Sequence, residues 1–506
     1  AWRSSEATAP CSTSLFSTSW VAPTHVTAVP VVSLIVHSDK EESSPTGSGL
    51  SNRSALQVLS APRAACHALL LREGGSSASD GRSVLVCLRL AQLLVASSSS
   101  EQRLLVLTRA VQAGCPLEGR AARPSHGGCW GVSRVLRLEH PGLRVITADA
   151  PLGLLPGAPS PSLAATALAA AVEPELVASG HAWCASRLRR AVPLLPRALG
   201  LALSGEWMVT GGLGGLGLRA ASLLLSGGAS RLVLSSRSGR VARDGQGLSE
   251  RLHTLCTTAS RVVVLACDSG DTREALASCL TASLWGVLHA AGLADKGLIS
   301  GVTAPQVQRQ GAPKAGGAAL LHYMTAKSPL KAAVLFSSVA AAFVNAGQAN
   351  YAAANAYLDA LPVSRRVNAL AASSLQLPVI SSAGMGAAQF DERQMRYKGM
   401  GAISLEQYAR SLAHVLLTPL ATQSPQPSLG IKLRDSVADA SQPLFAEVVE
   451  VVGAEVAADC NKTEESPLGT QLRMLELSKQ QPHVEALVLK VVHGLMGNTK
   501  LRVLNP

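Results

Sequence analysis

Short apolar runs and longer stretches of helical periodicity alternate along the chain. Residues 26–37, "VTAVPVVSLIVH", predict a buried strand closed by the polar segment "SDKEESSPTGSG", and "RLLVLT" at 103–108 predicts another after an intervening helical pattern. A clearer unit begins at Trp207: "WMVTGGLGGLG" is an apolar strand running into a glycine turn, and "LRAASLLLSGGA" is an amphipathic helix stopped by glycine. The strands "RLVLSSR", "RVVVLACD", "LWGVLHAAG" and "KAAVLFSS" follow, each separated by enough chain for a crossover helix. Strands alternating with helices predict parallel sheets, and the second unit has the pattern of a doubly wound nucleotide fold. Past Met385 the pattern fades into helix, loop and a Pro/Ser-rich break at 424–428.

Composition narrows this picture. A chain of 506 residues is roughly three times a typical domain, so two or more folded units are expected. Apolar residues make up 47% and aromatics only 3%, so the cores must be built from Leu, Val and Ala, which suits sheets covered by helices. The net charge of +12 is spread thinly, without basic runs or interleaved aromatics. That disfavours nucleic acid and suits phosphates or an acidic partner protein. The ten cysteines form no CxxC pair and have no histidine at ligand spacing, so neither a metal site nor a disulfide framework is expected and a reducing, cytoplasmic setting is favoured. No apolar run reaches the roughly 18 residues of a membrane span. Residues 1–25 and 451–470 read as linkers, and the start at Ala1 reads as a piece of something longer.

Candidate chemistry lies in the second unit. "TGGLGGLG" (Thr210, Gly211, Gly212, Leu213, Gly214, Gly215, Leu216, Gly217) fits TGxxxGxG, whose glycines let a pyrophosphate approach a helix N-terminus; a purely structural glycine turn is the alternative. Ser236 and Arg237 end the next strand, where such a fold meets the adenosine ribose. An arginine there can pair with a 2′-phosphate, favouring NADPH over NADH. Asp268 can accept from the adenine amine or cap a helix, and Ala290, Ala291 and Gly292 of "HAAG" let backbone pass close to a cofactor.

Tyr351 follows Ser338 by thirteen residues, and Asn355 stands one helical turn beyond it, where short-chain reductases usually carry a lysine. A tyrosine that protonates a carbonyl oxygen needs a cation to lower its pKa and a second donor to hold the oxygen. Ser338 can be the donor. Lys314, 37 residues before Tyr351 on the expected preceding helix, supplies the cation.

Ser338, Tyr351 and Asn355 in one segment, with Lys314 upstream, resemble the ketoreductase domains of type I polyketide synthases and animal-type fatty acid synthases, in the short-chain dehydrogenase/reductase superfamily. The stretches at 126–149 and 175–191 resemble that family's structural subdomain, and 397–417 resembles the helix after its substrate region. The resemblance implies an α/β chain of two Rossmann-like, doubly wound parallel-sheet subdomains. The first, at 26–203, would be structural and bind no nucleotide, and the second, at 204–450, would bind NADPH. It also implies reduction of a β-ketoacyl thioester presented by an acyl carrier domain among neighbouring megasynthase domains, with Lys314 lowering the Tyr351 pKa and fixing the ribose. A catalytically inactive scaffold is the alternative, and polyketide and fatty acid products both remain open. The substrate side departs from the family: residues 374–386 lack its Trp-Gly-x-Trp stretch, Ala294-Asp295-Lys296 replaces Leu-Asp-Asp, and Phe343 stands at a configuration-marking position, so the stereochemical outcome is not readable. Residues 471–506 resemble the start of a carrier domain truncated before its serine, with an ordinary reductase C-terminal helix as the alternative.

Overall fold

The computed structural model describes residues 13–21, 33–38, 66–72, 81–97, 102–112, 123–150, 173–179, 182–191, 202–242, 247–258, 261–270, 284–328, 330–381, 402–417 and 422–427. All of them lie within one compact unit, Ala1–Val449. The expected linker at 451–470 and the carrier-like segment at 471–506 fall outside the described residues.

The first half contributes strands β1 (Thr13–Val21), β2 (Ser33–Ser38), β3 (Cys66–Arg72), β4 (Arg103–Arg109), β5 (Arg144–Ala150), β6 (Glu175–Ser179) and β7 (Ala182–Ala191). Strands β2 to β6 run parallel in chain order, and β7 turns back antiparallel to β6. The run "RLLVLTR" of β4 is buried at all five interior positions, as an inner parallel strand covered on both faces must be. Helix α1 (Arg82–Ala96) buries Val84, Cys87, Leu88, Ala91 and Leu94, a stripe at three- and four-residue spacing. Helix α2 (Gly127–Glu139) is glycine-rich at its start.

The second half contributes β8 (Glu206–Thr210), β9 (Arg231–Ser236), β10 (Val262–Ala266), β11 (Leu284–His289), β12 (Ala332–Ser338), β13 (Ser373–Leu377) and β14 (Thr422–Pro427). Its helices are α3 (Gly215–Ser226), α4 (Leu248–Thr258), α5 (Ala304–Gly311), α6 (Gly317–Thr325), α7 (Ala349–Val367) and α8 (Leu405–Leu417). The strand order β10-β9-β8-β11-β12-β13-β14 reverses between β8 and β11, where the carboxyl ends of diverging strands open a crevice. The described strands of the first half show no such reversal.

The two halves share one fourteen-stranded sheet, joined where β1 lies antiparallel to both β7 and β14. This departs from the linker reading of residues 1–25 at residues 13–21, the part of that segment the structure describes. Their Ser/Thr content suggested solvated chain, but Leu15, Phe16, Trp20 and Val21 favour extended backbone, and both pairing partners are remote in sequence. The Pro/Ser-rich break is likewise a strand, β14. Prolines 425 and 427 cannot donate to a ladder, and β14 pairs with β13 only at Thr422 and Gln423.

Helices from the two halves also share a core. Val84, Leu94, Val106 and Leu136 cluster with Ile299, Val302, Ala349 and Ala352. Along this seam α2 packs on α7 through small residues: a Cβ added at Gly127 would lie 2.7 Å from Ala360 Cβ, and one at Gly131 would overlap the Ala352 carbonyl. No helix among the described residues is long and apolar enough to cross a membrane.

Candidate active site

The crevice at the strand-order reversal holds the glycine loop. Gly211, with φ +66, turns β8 toward α3 in the left-handed region, and a Cβ there would lie 2.6 Å from Ala291 N and clash. Gly211, Gly214, Gly215, Leu216 and Gly217 line one wall of a cavity of about 290 Å³, and Ala290, Ala291 and Gly292 line the other. Ser236, Arg237 and Asp268 line it as well. Gly212 and Leu213 are buried beneath the loop. Arg237 is exposed. Asp268 borders the cavity while its Oδ1 accepts from Gly270 N at 3.0 Å, so it caps its own turn as well. The first turn of α3 carries no acidic residue, leaving its N–H groups and dipole free for an anion. The residues lining this cradle could hold a dinucleotide, with the start of α3 able to receive a phosphate.

Catalytic candidates converge beside it. Lys314 lies in a π-helical turn, Ala312–Gly316, between α5 and α6. Such turns recur at functional sites because they re-aim a side chain within a helix. Its Nζ donates to Phe336 O at 3.0 Å and to Asn355 Oδ1 at 2.8 Å, and Asn355 Nδ2 donates to Tyr351 O at 2.8 Å. Ser338 sits at the end of β12, where its Oγ accepts from Ala340 N at 3.2 Å. The structure therefore brings Lys314, Ser338, Tyr351 and Asn355 together. A Cβ at Gly292 would lie 2.5 Å from Lys314 Cε, so glycine there leaves room for the lysine stem.

One expectation is corrected. Lys314 Nζ lies 5.5 Å from the Tyr351 ring centroid, over the ring face. Burial raises the Tyr351 phenol above its ordinary value, and the Ser338 and Asn355 side chains only partly oppose this. In this geometry desolvation outweighs any lowering by the lysine. Burial also pushes Lys314 down to about 8, with the Asp359 carboxylate opposing.

Two residues beyond those read from the sequence complete the site. His289, fully buried at the end of β11, meets Thr210 Oγ1 through Nδ1 at 2.7 Å and Lys314 O through Nε2 at 2.9 Å. A carbonyl only accepts, so Nε2 carries the hydrogen and Nδ1 accepts from the Thr210 hydroxyl. Burial holds this imidazole near 4, hence neutral, and it ties the glycine-loop strand to the lysine turn. Asp359 lies two turns beyond Tyr351 and accepts from Ser374 Oγ at 2.6 Å and Gln376 Nε2 at 2.7 Å. Its spacing from Tyr351 and Asn355 was a readable signal; the partners of His289 were not.

The chain is similar to known proteins in sequence and fold. Residues 205–382 match the sequence model of the KR domain. The chain is 31% identical over 401 residues to pikromycin polyketide synthase component PikAIII of Streptomyces venezuelae, covering 75% of this chain and 25% of that protein. It is 33% identical over 312 residues to spectinabilin polyketide synthase system protein NorB of Streptomyces orinoci, covering 60% of this chain and 14% of that one. A solved structure described as an A1-type ketoreductase superposes with a TM-score of 0.74 at 28% identity, covering 87% of this chain and 98% of the other. The chain thus spans a quarter or less of these two polyketide synthase proteins.

Proposed function

We propose, from the premise that this chain carries a ketoreductase domain of the polyketide synthase type, that it reduces a β-ketoacyl thioester to the β-hydroxyacyl thioester with NADPH. The observation that carries this reading is the hydrogen-bonded chain from Lys314 through Asn355 to the Tyr351 backbone, beside Ser338 and next to the glycine-loop crevice. Thr210 to Gly217, Ser236, Arg237, Asp268 and Ala290 to Gly292 would hold the dinucleotide, which when bound supplies a hydride to the β-carbon.

The chain's own residues manage the oxygen. Ser338 holds the carbonyl oxygen, and Tyr351 delivers its phenolic proton as negative charge develops there. The elevated phenol pKa keeps that proton in place until charge appears. Lys314, still protonated at neutral pH, then stabilises the phenolate that remains, and Asn355 fixes the lysine head against the tyrosine helix. Asp359 offsets the buried cation. The thioester would arrive on an acyl carrier domain of a larger synthase, as the multidomain relatives suggest.

Loss of nicotinamide absorbance on mixing the chain with NADPH and a β-ketoacyl thioester tests the reading. Tyr351→Phe should keep cofactor binding and lose about 10²–10⁴-fold in rate, the usual contribution of a general acid. Unchanged turnover in that variant would show that another group protonates the product.

A further inference from the structure

Three side chains of the first half end on backbone groups of the two loops bordering Tyr351. Glu139, the last residue of α2, accepts from Ile299 N at 2.8 Å through Oε2 and from Gly347 N at 2.7 Å through Oε1. Gln92 of α1 donates from Nε2 to Ile299 O and Val302 O, both at 2.9 Å. Arg134, paired with Glu175 at 2.6 Å, donates to Ala341 O at 2.7 Å. The loops also meet each other, since Gly297 N donates to Gly347 O at 2.8 Å. One loop runs on from Gly292 at the crevice, and the other leads through Gly347, with φ +75, into the helix that presents Tyr351.

A carboxylate at a helix C-terminus opposes the helix dipole, so α2 gains nothing from an acidic residue at its last position. What Glu139 does gain is two amide donors from two loops, each more than 150 residues away. A carboxylate offers two acceptor oxygens in fixed geometry, and no neutral side chain can accept both bonds this way.

We propose that Glu139 is a positioning residue for the acyl substrate. By holding the Ile299 and Gly347 amides on one carboxylate, it sets the separation of the loops between which the β-ketoacyl chain reaches Tyr351. The first half of the molecule thereby shapes the mouth of the second. This rests on the ketoreductase reading for the identity of the substrate, and on geometry alone for the clamp.

Glu139→Gln tests it, because the amide keeps one acceptor and turns an N–H₂ group toward the other backbone N–H. Hydrogen–deuterium exchange should quicken about tenfold or more at residues 297–303 and 345–348, as expected when a hydrogen bond to a charged group is lost, with Gly211 to Gly217 unchanged. KM for the β-ketoacyl thioester should rise about tenfold and the ratio of the two alcohol configurations should shift, while KM for NADPH stays within about twofold. Glu139→Asp, which keeps both oxygens, should recover part of each effect. Unaltered exchange and acyl KM, or an equal loss toward both substrates, would overturn the proposal. Should Glu139→Gln not fold, Glu139→Asp, whose shorter side chain reaches the two amides less closely, carries the test: exchange at 297–303 and 345–348 should rise by a smaller factor, and unchanged exchange there refutes the proposal. If the parent chain reduces no β-ketoacyl thioester, the functional reading fails, while the exchange comparison still decides whether Glu139 sets the loops.

Discussion

Replacing Gly131, in the first half of the molecule, by alanine should damage catalysis in the second half. Gly131 lies on α2 facing α7, and an added methyl would fall within van der Waals overlap of the Ala352 carbonyl and 2.6 Å from Ala353 N. Ordinary contact needs roughly 3.5 Å, so the two helices must part by about 1 Å. Two opposing effects can be weighed. Alanine stabilises a helix interior by about 1 kcal/mol over glycine. Overpacking a tight contact costs about 1–3 kcal/mol, and here the obstacle is backbone, which cannot rotate away. The difference leaves a destabilisation of up to about 2 kcal/mol, toward the upper end because the obstacle is backbone. The same 1 Å displacement moves the segment that carries Tyr351, and misplacement on that scale lowers turnover by about 10²-fold. Chemical denaturation and steady-state kinetics measure the two consequences. Gly142→Ala, whose methyl meets no atom within 4 Å, serves as the control. A Gly131→Ala chain as stable and as active as the control would show that α2 does not position α7.

Three further outcomes follow from charge. Lys314, held near 8 by burial against an ordinary 10.5, should lose its proton as pH rises through about 8, while burial keeps the Tyr351 phenol protonated, so the rate should fall on the alkaline side with a single apparent pKa near 8. Lys314→Met should lack that limb in its residual rate, and a limb that persists would assign it elsewhere. For stability the sign is opposite: below pH 8 the fold carries the cost of a buried charge, and this group's contribution improves as pH rises from about 8 to 10.5. Arg237→Ala should weaken NADPH by about 1.5–3 kcal/mol, the loss of a hydrogen bond to a charged group, and leave NADH nearly untouched; calorimetry showing equal loss for both would make the arginine structural.

The sequence by itself determined the elements whose pattern is local. Periodicity marked β8, β9, β11 and β12, the glycine spacing marked the turn from β8 to α3, and Ser338, Tyr351 and Asn355 were legible because strand end and helix turn place them at fixed separations. Lys314 was identifiable from its residue type and distance, but its place in a π-helical turn was not. Gly311, Pro313 and Gly316 mark an interruption of the helix there, but not its π-helical form. Composition misled where pairing decides structure: β1 and β14 are Ser-, Thr- and Pro-rich, and they are strands because each finds a partner far along the chain.

Tertiary structure alone decided the rest. The downward shift of Lys314 and the upward shift of Tyr351 arise from burial, a property of everything packed around them rather than of their neighbours in sequence. Glu139 reads as an ordinary charged residue at a helix end until two amides 160 and 208 residues away meet its oxygens. The glycines of α2 have their reason in α7, which lies against them too closely for a Cβ. Periodicity carries information over a few residues, whereas desolvation, close helix contact and backbone capping across the chain exist only once remote segments share the same space.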